Sequence, residues 1–155
     1  MPLTTNKNFL SPVGFTLKID SNMANTEYFC TQANIPGITL TNIETPYRGV
    51  NLGMTGDRMT FDDFTITFNI TENMENYIEI WNWMHNIIEK TDADENYKHD
   101  ARLMVLTSHN NVIKEIKFQD IFPTSLAAVE FNSQLTDIEY AQATVTFKYT
   151  YYEIE

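Results

Sequence analysis

Few side chains in this chain have any claim to chemistry. Asp62 and Asp63 are adjacent carboxylates inside a predicted strand, and carboxylate pairs are the usual apparatus of acid/base hydrolysis. Consecutive strand residues point to opposite faces, so these two cannot share one substrate, and capping or salt-bridging suits them better. Asp92, Asp94 and Asn96 match the opening ligands of a calcium loop. Tyr97 stands where such a loop needs glycine, however, and Leu103 where it needs a bidentate glutamate. His85, His99 and His109 fall on a predicted helix, loop and turn, without the spacing of a metal site. Cys30 is the single cysteine, which excludes an internal disulfide and a cysteine-based zinc site. Within Tyr28-Phe29-Cys30-Thr31 it reads as a small core or strand residue. A nucleophile elbow, a phosphate-binding glycine loop and a dinucleotide fingerprint are all missing from the sequence. These residues imply no enzyme and no cofactor.

Arg58 is different. It sits between Asp57 and Asp62-Asp63, where a guanidinium can make forked hydrogen bonds to carboxylates that lysine would not reproduce. Two readings stand: a local salt bridge that stiffens the base of a loop, or a contact with another subunit. Trp81 and Trp83 have the rings to stack a ligand, but at this spacing on a helix they read as core or interface residues.

The elements that position these residues follow from periodicity. Val13 to Asp20 alternates and reads as a strand; Ser21 to Asn25 is a polar turn, and Thr26 to Gln32 a second strand forming a hairpin with the first. Ile35-Pro36-Gly37 reads as a type II turn. Thr39 to Ile43 suggests a short strand. Glu44 to Thr60, with Pro46, Gly49, Gly53 and Gly56, lacks a sustained period and is either a functional loop or an extended hairpin. Phe61 to Ile70 follows as a strand, with Phe64, Ile66 and Phe68 on one face and Thr65 and Thr67 on the other.

From Met74 to Lys90 the period changes to that of a helix. Met74, Tyr77, Ile78, Trp81, Met84 and Ile88 share one face, and Ile80, Trp83 and Ile87 a second. Asn73 is the expected N-cap, with Glu72 and Glu75 at the positive end of the dipole and Lys90 at the negative end. One greasy face packs on a sheet, leaving the other for a loop or a neighbour. An acidic surface loop spans Thr91 to Asp100. Arg102 to Thr107 and Val112 to Phe118 then form a hairpin around His109-Asn110-Asn111. Phe122-Pro123-Thr124 breaks the chain before a strand at Ala127 to Phe131. Finally Ala141, Ala143, Val145, Phe147, Tyr149 and Tyr151 alternate with Gln142, Thr144, Thr146, Lys148 and Thr150. Seven or eight strands with one helix and no parallel-sheet rhythm read as an antiparallel β-sandwich or barrel with a single packed helix.

At 155 residues, 43% hydrophobic, the chain reads as one globular domain able to bury a core. No run approaches the roughly 18 apolar residues of a membrane span, and the first ten residues do not read as a secretory signal. A net charge of −11, from 21 acidic and 10 basic residues, argues against gripping phosphates through counterion release.

Gly56-Asp57-Arg58-Met59-Thr60-Phe61-Asp62-Asp63 closely resembles the GDR-x-TFDD signature of the tail-tube proteins of contractile-tailed bacteriophages. Ile35-Pro36-Gly37, the helix with Trp81 and Trp83, Phe122-Pro123-Thr124 and the closing strand through Tyr151-Tyr152 occur in that family's order, so the resemblance covers roughly Val13 to Glu155.

The resemblance implies a single tail-tube domain over residues 1–155, assembling into hexameric rings with a shared inner β-barrel. The rings would stack into a homopolymer that serves as a conduit for DNA ejection. Implied partners are sheath, baseplate and tail-terminator proteins, with genomic DNA passing the lumen without specific binding. The implied location is the virion tail, assembled in the host cytoplasm. Pro46, Arg48, Gly56, Asp57, Arg58, Phe61, Asp62 and Trp83 would make inter-ring or intersubunit contacts. Thr144, Thr146 and Lys148 would line the lumen. From the net charge, part of the surplus acid is expected along that wall, repelling DNA, the alternative being an acidic outer face that serves solubility. The alternatives are a tube subunit of a type VI secretion or other contractile injection device, or a baseplate-proximal tube initiator. A small binding β-sandwich using Trp81, Trp83 and the acidic loop is the rival from another class.

Overall fold

Strict alternation produces the core. Phe64, Ile66 and Phe68 are sealed from solvent, while Thr65 and Thr67 between them are half-buried on the opposite face. A computed structural model describes residues 8–19, 26–27, 29–89, 98–137 and 139–155. Among them are nine strands and one long helix: β1 (Phe15–Ile19), β2 (Cys30–Ala33), β3 (Ile38–Tyr47), β4 (Val50–Phe61), β5 (Phe64–Asn69), α1 (Glu75–Glu89), β6 (His99–Leu106), β7 (Val112–Leu126), β8 (Gln142–Lys148) and β9 (Tyr151–Ile154). The mainly β, antiparallel class with one packed helix is the one the sequence implies.

Seven strands form one sheet in the order β1-β6-β7-β8-β5-β2, with β9 also on β7; β3 and β4 form a separate two-stranded ribbon. Every pair is antiparallel. The sheet closes over one cluster in which Leu17, Ile19, Leu103, Ile116, Phe118, Val145 and Phe147 meet the β5 residues and the helix. Phe64 stacks on Phe118 at 4.3 Å between ring centres. Burying side chains of this size contributes on the order of 1.5–3 kcal/mol each.

Long-range pairing overrides several sequence expectations. β1 and β2 do not pair with each other; β1 lies on β6 and β2 on β5. Thr26 and Glu27 have helical backbone, so β2 begins only at Cys30. The expected turn at 21–25, Lys90 at the helix end and residues 91–97 of the acidic loop, with Asp92, Asp94 and Asn96, lie outside the described residues. Phe61 to Ile70 is not one strand: Phe61 ends β4, Asp62 and Asp63 form a break, and β5 starts at Phe64.

Phe122-Pro123-Thr124 does not end a strand either, because β7 runs through it for 15 residues. Asp120 takes the left-handed backbone, φ 55°, and the ladder shifts register between Pro123 and Ser125, so the strand bends instead of stopping. Opposite this bend the closing strand divides at Tyr149-Thr150, where the Thr150 amide donates to the Gln119 carbonyl at 2.9 Å. Residues 127–131 carry no strand. Asn110 has the left-handed φ, 61°, that the expected tight turn requires.

Helix α1 packs through Asn76, Ile80 and Trp83, with Ile87, Tyr77 and Met84 partly covered. Ile78, Trp81 and Ile88 remain exposed. The cap is not Asn73: the Thr71 hydroxyl accepts from the Glu75 amide at 3.0 Å.

Candidate assembly interface

The most unusual surface of the molecule is the ribbon of β3 and β4. Apart from half-buried Gly56 and Phe61, each of its strand residues is exposed. Its tip is the two-residue turn Arg48-Gly49, with φ of 47° and 80°. Positive φ at both positions is the type I′ geometry that matches the twist of a hairpin. The Arg48 guanidinium lies over the Tyr47 ring at 5.4 Å.

Pairing register sorts the ribbon into two faces. Ile43 opposes Met54, Thr45 opposes Leu52 and Tyr47 opposes Val50, and cross-strand partners share a face. Asn42 with Thr55, Glu44 with Gly53 and Pro46 with Asn51 make the other face. There the Asn51 amide donates to Glu44 at 3.3 Å. One face is apolar and the other polar, and among the described residues neither is covered.

The Gly-Asp-Arg motif explains the ribbon's shape. Thr41 alone stands opposite Gly56, Asp57 and Arg58, because Leu40 pairs with Met59 and Asn42 with Thr55. This is a bulge, which bends the strand that carries it. A Cβ on Gly56 would lie 2.3 Å from the Thr41 carbonyl oxygen, so no other residue fits without moving backbone. The Thr41 hydroxyl donates to the Arg58 carbonyl at 2.9 Å. Asp57 and Arg58 are both exposed, and Arg58 forms no ion pair with a described carboxylate. The local salt bridge that its neighbours suggested is therefore not among the described contacts.

The ribbon's root is held firmly. The Asp62 amide donates to the Gly37 carbonyl at 3.0 Å, Tyr149 donates to the Asp62 carbonyl at 2.7 Å, and Tyr152 donates to the Pro36 carbonyl at 2.8 Å. Phe61 packs edge-on against both tyrosine rings. Burial, reinforced by Tyr152, Asp62 and Asp63, holds the Tyr149 hydroxyl well above its ordinary pKa, keeping it a neutral donor. Gly37 lacks the positive φ of the expected type II turn; a Cβ there would sit 2.8 Å from a carboxylate oxygen of Asp62, a side-chain end that can turn aside.

Thr144 and Thr146 do share a face. Across the ladder Thr144 opposes Thr67 and Thr146 opposes Thr65. The Thr67 and Thr144 hydroxyls are 3.2 Å apart, and Thr124 donates to the Thr146 carbonyl at 3.2 Å. Lys148 stands at one end, paired with Asp63 at 3.2 Å. The outward residues of β5 and β8 are otherwise uncharged, so this face does not carry the acidic surplus expected of a lumen wall.

Trp83, expected at a subunit contact, is only 4% exposed and packs within the chain's own core, 5.8 Å from the Phe147 ring. Trp81 is the exposed tryptophan, stacked on His85 at 4.0 Å. Cys30 is partly covered by the core, and burial pushes its thiol up to about 11, which leaves it protonated and unreactive at neutral pH.

Two residues with positional importance went unnoticed in the sequence. Thr26 and Asn76 are both fully buried. The Thr26 hydroxyl donates to the Glu79 carboxylate at 2.9 Å, and the Asn76 amide donates to the Asn69 carbonyl, tying α1 to the segments on either side. Asn76 stands one turn before Ile80 on the face shared with Trp83 and Ile87, so the spacing was the signal, but a polar side chain breaks the apolar pattern by which that face is read. Among the described residues no group of His, Cys, Asp and Glu is placed to hold a metal, and no helix is long and apolar enough to cross a membrane.

One antiparallel sheet closed over a core with a single packed helix, and a firmly rooted ribbon standing out from it, define the class of fold. The chain belongs to the phage tail tube protein family, whose model matches residues 2–155. No curated protein matches it in sequence. Solved structures share its fold. A chain in the structure of the anti-feeding prophage's tube-terminating cap is 16% identical, with TM-score 0.74 over 99% of this chain and 95% of that one. The sheath-tube complex of an extracellular contractile injection system, in the extended state, contains a chain that is 14% identical, with TM-score 0.72 over 96% and 93%. An Hcp protein is 9% identical, with TM-score 0.54 over 91% and 98%.

Proposed function

We propose that the protein is the repeating subunit of a contractile tail's tube, forming stacked hexameric rings that conduct DNA during ejection. The observation that carries this reading is the ribbon: a two-stranded hairpin is marginal alone in water, and this one offers an apolar face with no cover from the described residues. A neighbouring subunit supplies that cover. Closure of strand edges between subunits would also remove the open edges of β1 and β2. The threonine face of β5 and β8 then serves as the lumen wall. Neutral hydroxyls offer phosphate no cationic hold, which suits a conduit that must not retain its cargo. Sheath, baseplate and terminator proteins are the expected partners, and the virion tail the expected location.

A second reading is a tube subunit or tube-terminating cap of a contractile injection device, favoured by the similarity to the chains from such assemblies. Electron microscopy of the purified protein tests the shared core of both. Hollow tubes or rings support it, and a strict monomer at high concentration defeats it. Tubes co-purifying with sheath and a DNA-filled head would separate the phage reading from the injection reading.

A further inference from the structure

The two legs of the ribbon leave the body side by side, and each accepts a hydrogen bond from a tyrosine at the corner between β8 and β9. Tyr149 donates to the Asp62 carbonyl at the foot of the β4 leg, and Tyr152 donates to the Pro36 carbonyl at the foot of the β3 leg. The Asp62 amide ties the legs to each other through the Gly37 carbonyl. Phe61 packs against both tyrosine rings, and the same rings lie 5.1 and 5.6 Å from the buried Phe118 ring.

The corner is seated in turn on the bend of β7. The Thr150 amide donates to the Gln119 carbonyl at 2.9 Å, and the Thr150 hydroxyl donates to the Asp120 carboxylate at 3.3 Å. Asp120 holds the left-handed backbone, φ 55°, which aspartate and asparagine tolerate better than most side chains. Its amide donates to the Asp100 carboxylate on β6 at 3.3 Å. A line of hydrogen bonds therefore runs from β6, through the β7 bend and the corner, to both legs of the ribbon.

We propose that the β8–β9 corner is a clasp that sets the angle of the ribbon within the free subunit, and that Asp120 positions the clasp. One anchored leg would leave a swivel; two hydroxyls on one short segment, each taking a carbonyl of a different leg, remove it. Burial keeps the Tyr149 hydroxyl protonated, so its bond to Asp62 persists at neutral pH. A single hydrogen bond adds little to net stability, so the clasp governs where the ribbon points more than whether the chain folds. Asp120 acts by two means: its backbone turns β7, and its carboxylate takes Thr150. A segment set in place beforehand lowers the ordering cost of any contact it makes later. The clasp is a property of the single subunit and does not rest on what the ribbon meets in an assembly.

Pulsed electron paramagnetic resonance reads the angle in the full-length chain with Cys30→Ser as background. Nitroxides on Arg48→Cys at the ribbon tip and Glu89→Cys at the end of α1 report one distance, at a concentration where sedimentation shows single subunits. The expected result is a narrow distribution that Tyr149→Phe with Tyr152→Phe broadens about twofold. Ile66→Val, which lowers stability from inside the core, should leave the width unchanged. Asp120→Gly keeps the left-handed backbone but removes the acceptor and should broaden the distribution; Asp120→Asn keeps both and should not. A distribution already broad in the parent chain, equal widths in the parent and the tyrosine variant, or equal broadening by Ile66→Val overturns the clasp. A width for Asp120→Gly as narrow as the parent's overturns the positioning role of Asp120. Hydrogen exchange gives a second reading that a misfolded double variant cannot obscure. In Tyr152→Phe the Asp62 amide should exchange about fivefold faster while the β5 amides keep their rates, and an unchanged Asp62 rate contradicts the clasp.

Discussion

In β5 the apolar residues Phe64, Ile66 and Phe68 are sealed within the chain's own core, whereas in the ribbon Ile43, Leu52 and Met54 are about half exposed, at 57%, 48% and 58%. Both regions alternate apolar and polar positions along paired strands. They differ in what lies above the apolar face: β5 has β7, β8 and the helix in its cluster, whereas no described residue covers the ribbon. Residue chemistry alone therefore does not decide whether a hydrophobic face is buried; topology decides whether other elements of the fold lie over it. The ribbon root is held to the body by Tyr149 and Tyr152.

Substitutions should separate the two regions. Phe118→Ala empties the centre of the core, where the ring stacks on Phe64. It should lower unfolding stability by about 3–5 kcal/mol in urea titration, abolishing tubes through loss of the fold. Thr26→Val leaves the Glu79 carboxylate without its hydroxyl donor and should cost about 1–3 kcal/mol in the same assay. Leu52→Asp, on the ribbon's apolar face, should change the stability of the isolated chain by no more than about 0.5 kcal/mol. Its effect belongs in sedimentation, where polymer should give way to small species. If Leu52→Asp destabilised the isolated chain as much as Phe118→Ala does, the contrast between core and ribbon would collapse.

Local patterns were legible in the sequence and distant pairings were not. Phe64 to Phe68, Ala143 to Phe147, the helix and the Asn110 turn all announce themselves through short-range spacing or backbone preference. The pairing of β1 with β6 and β2 with β5 carries no such mark, because adjacency along the chain favours the hairpin that does not form. Pro123 reads as a breaker, yet its missing amide falls at a register shift where the ladder tolerates it. The Glu44 to Thr60 stretch hides its period because Gly53, Gly56 and a three-residue bulge interrupt it, although the apolar alternation resumes on either side. Arg58, with acidic neighbours in sequence, left both a local brace and a contact with another subunit open; it is exposed and forms no ion pair with a described carboxylate.

The claim that the ribbon is the assembly arm is tested most directly by replacing residues 42–55 with a two-residue Asn-Gly turn and imaging it beside the full-length chain by electron microscopy. The account predicts hollow tubes from the full-length chain, and from the shortened chain a protein with the same cooperative unfolding transition but no stacked tubes. Tubes of equal length from the shortened chain would contradict it.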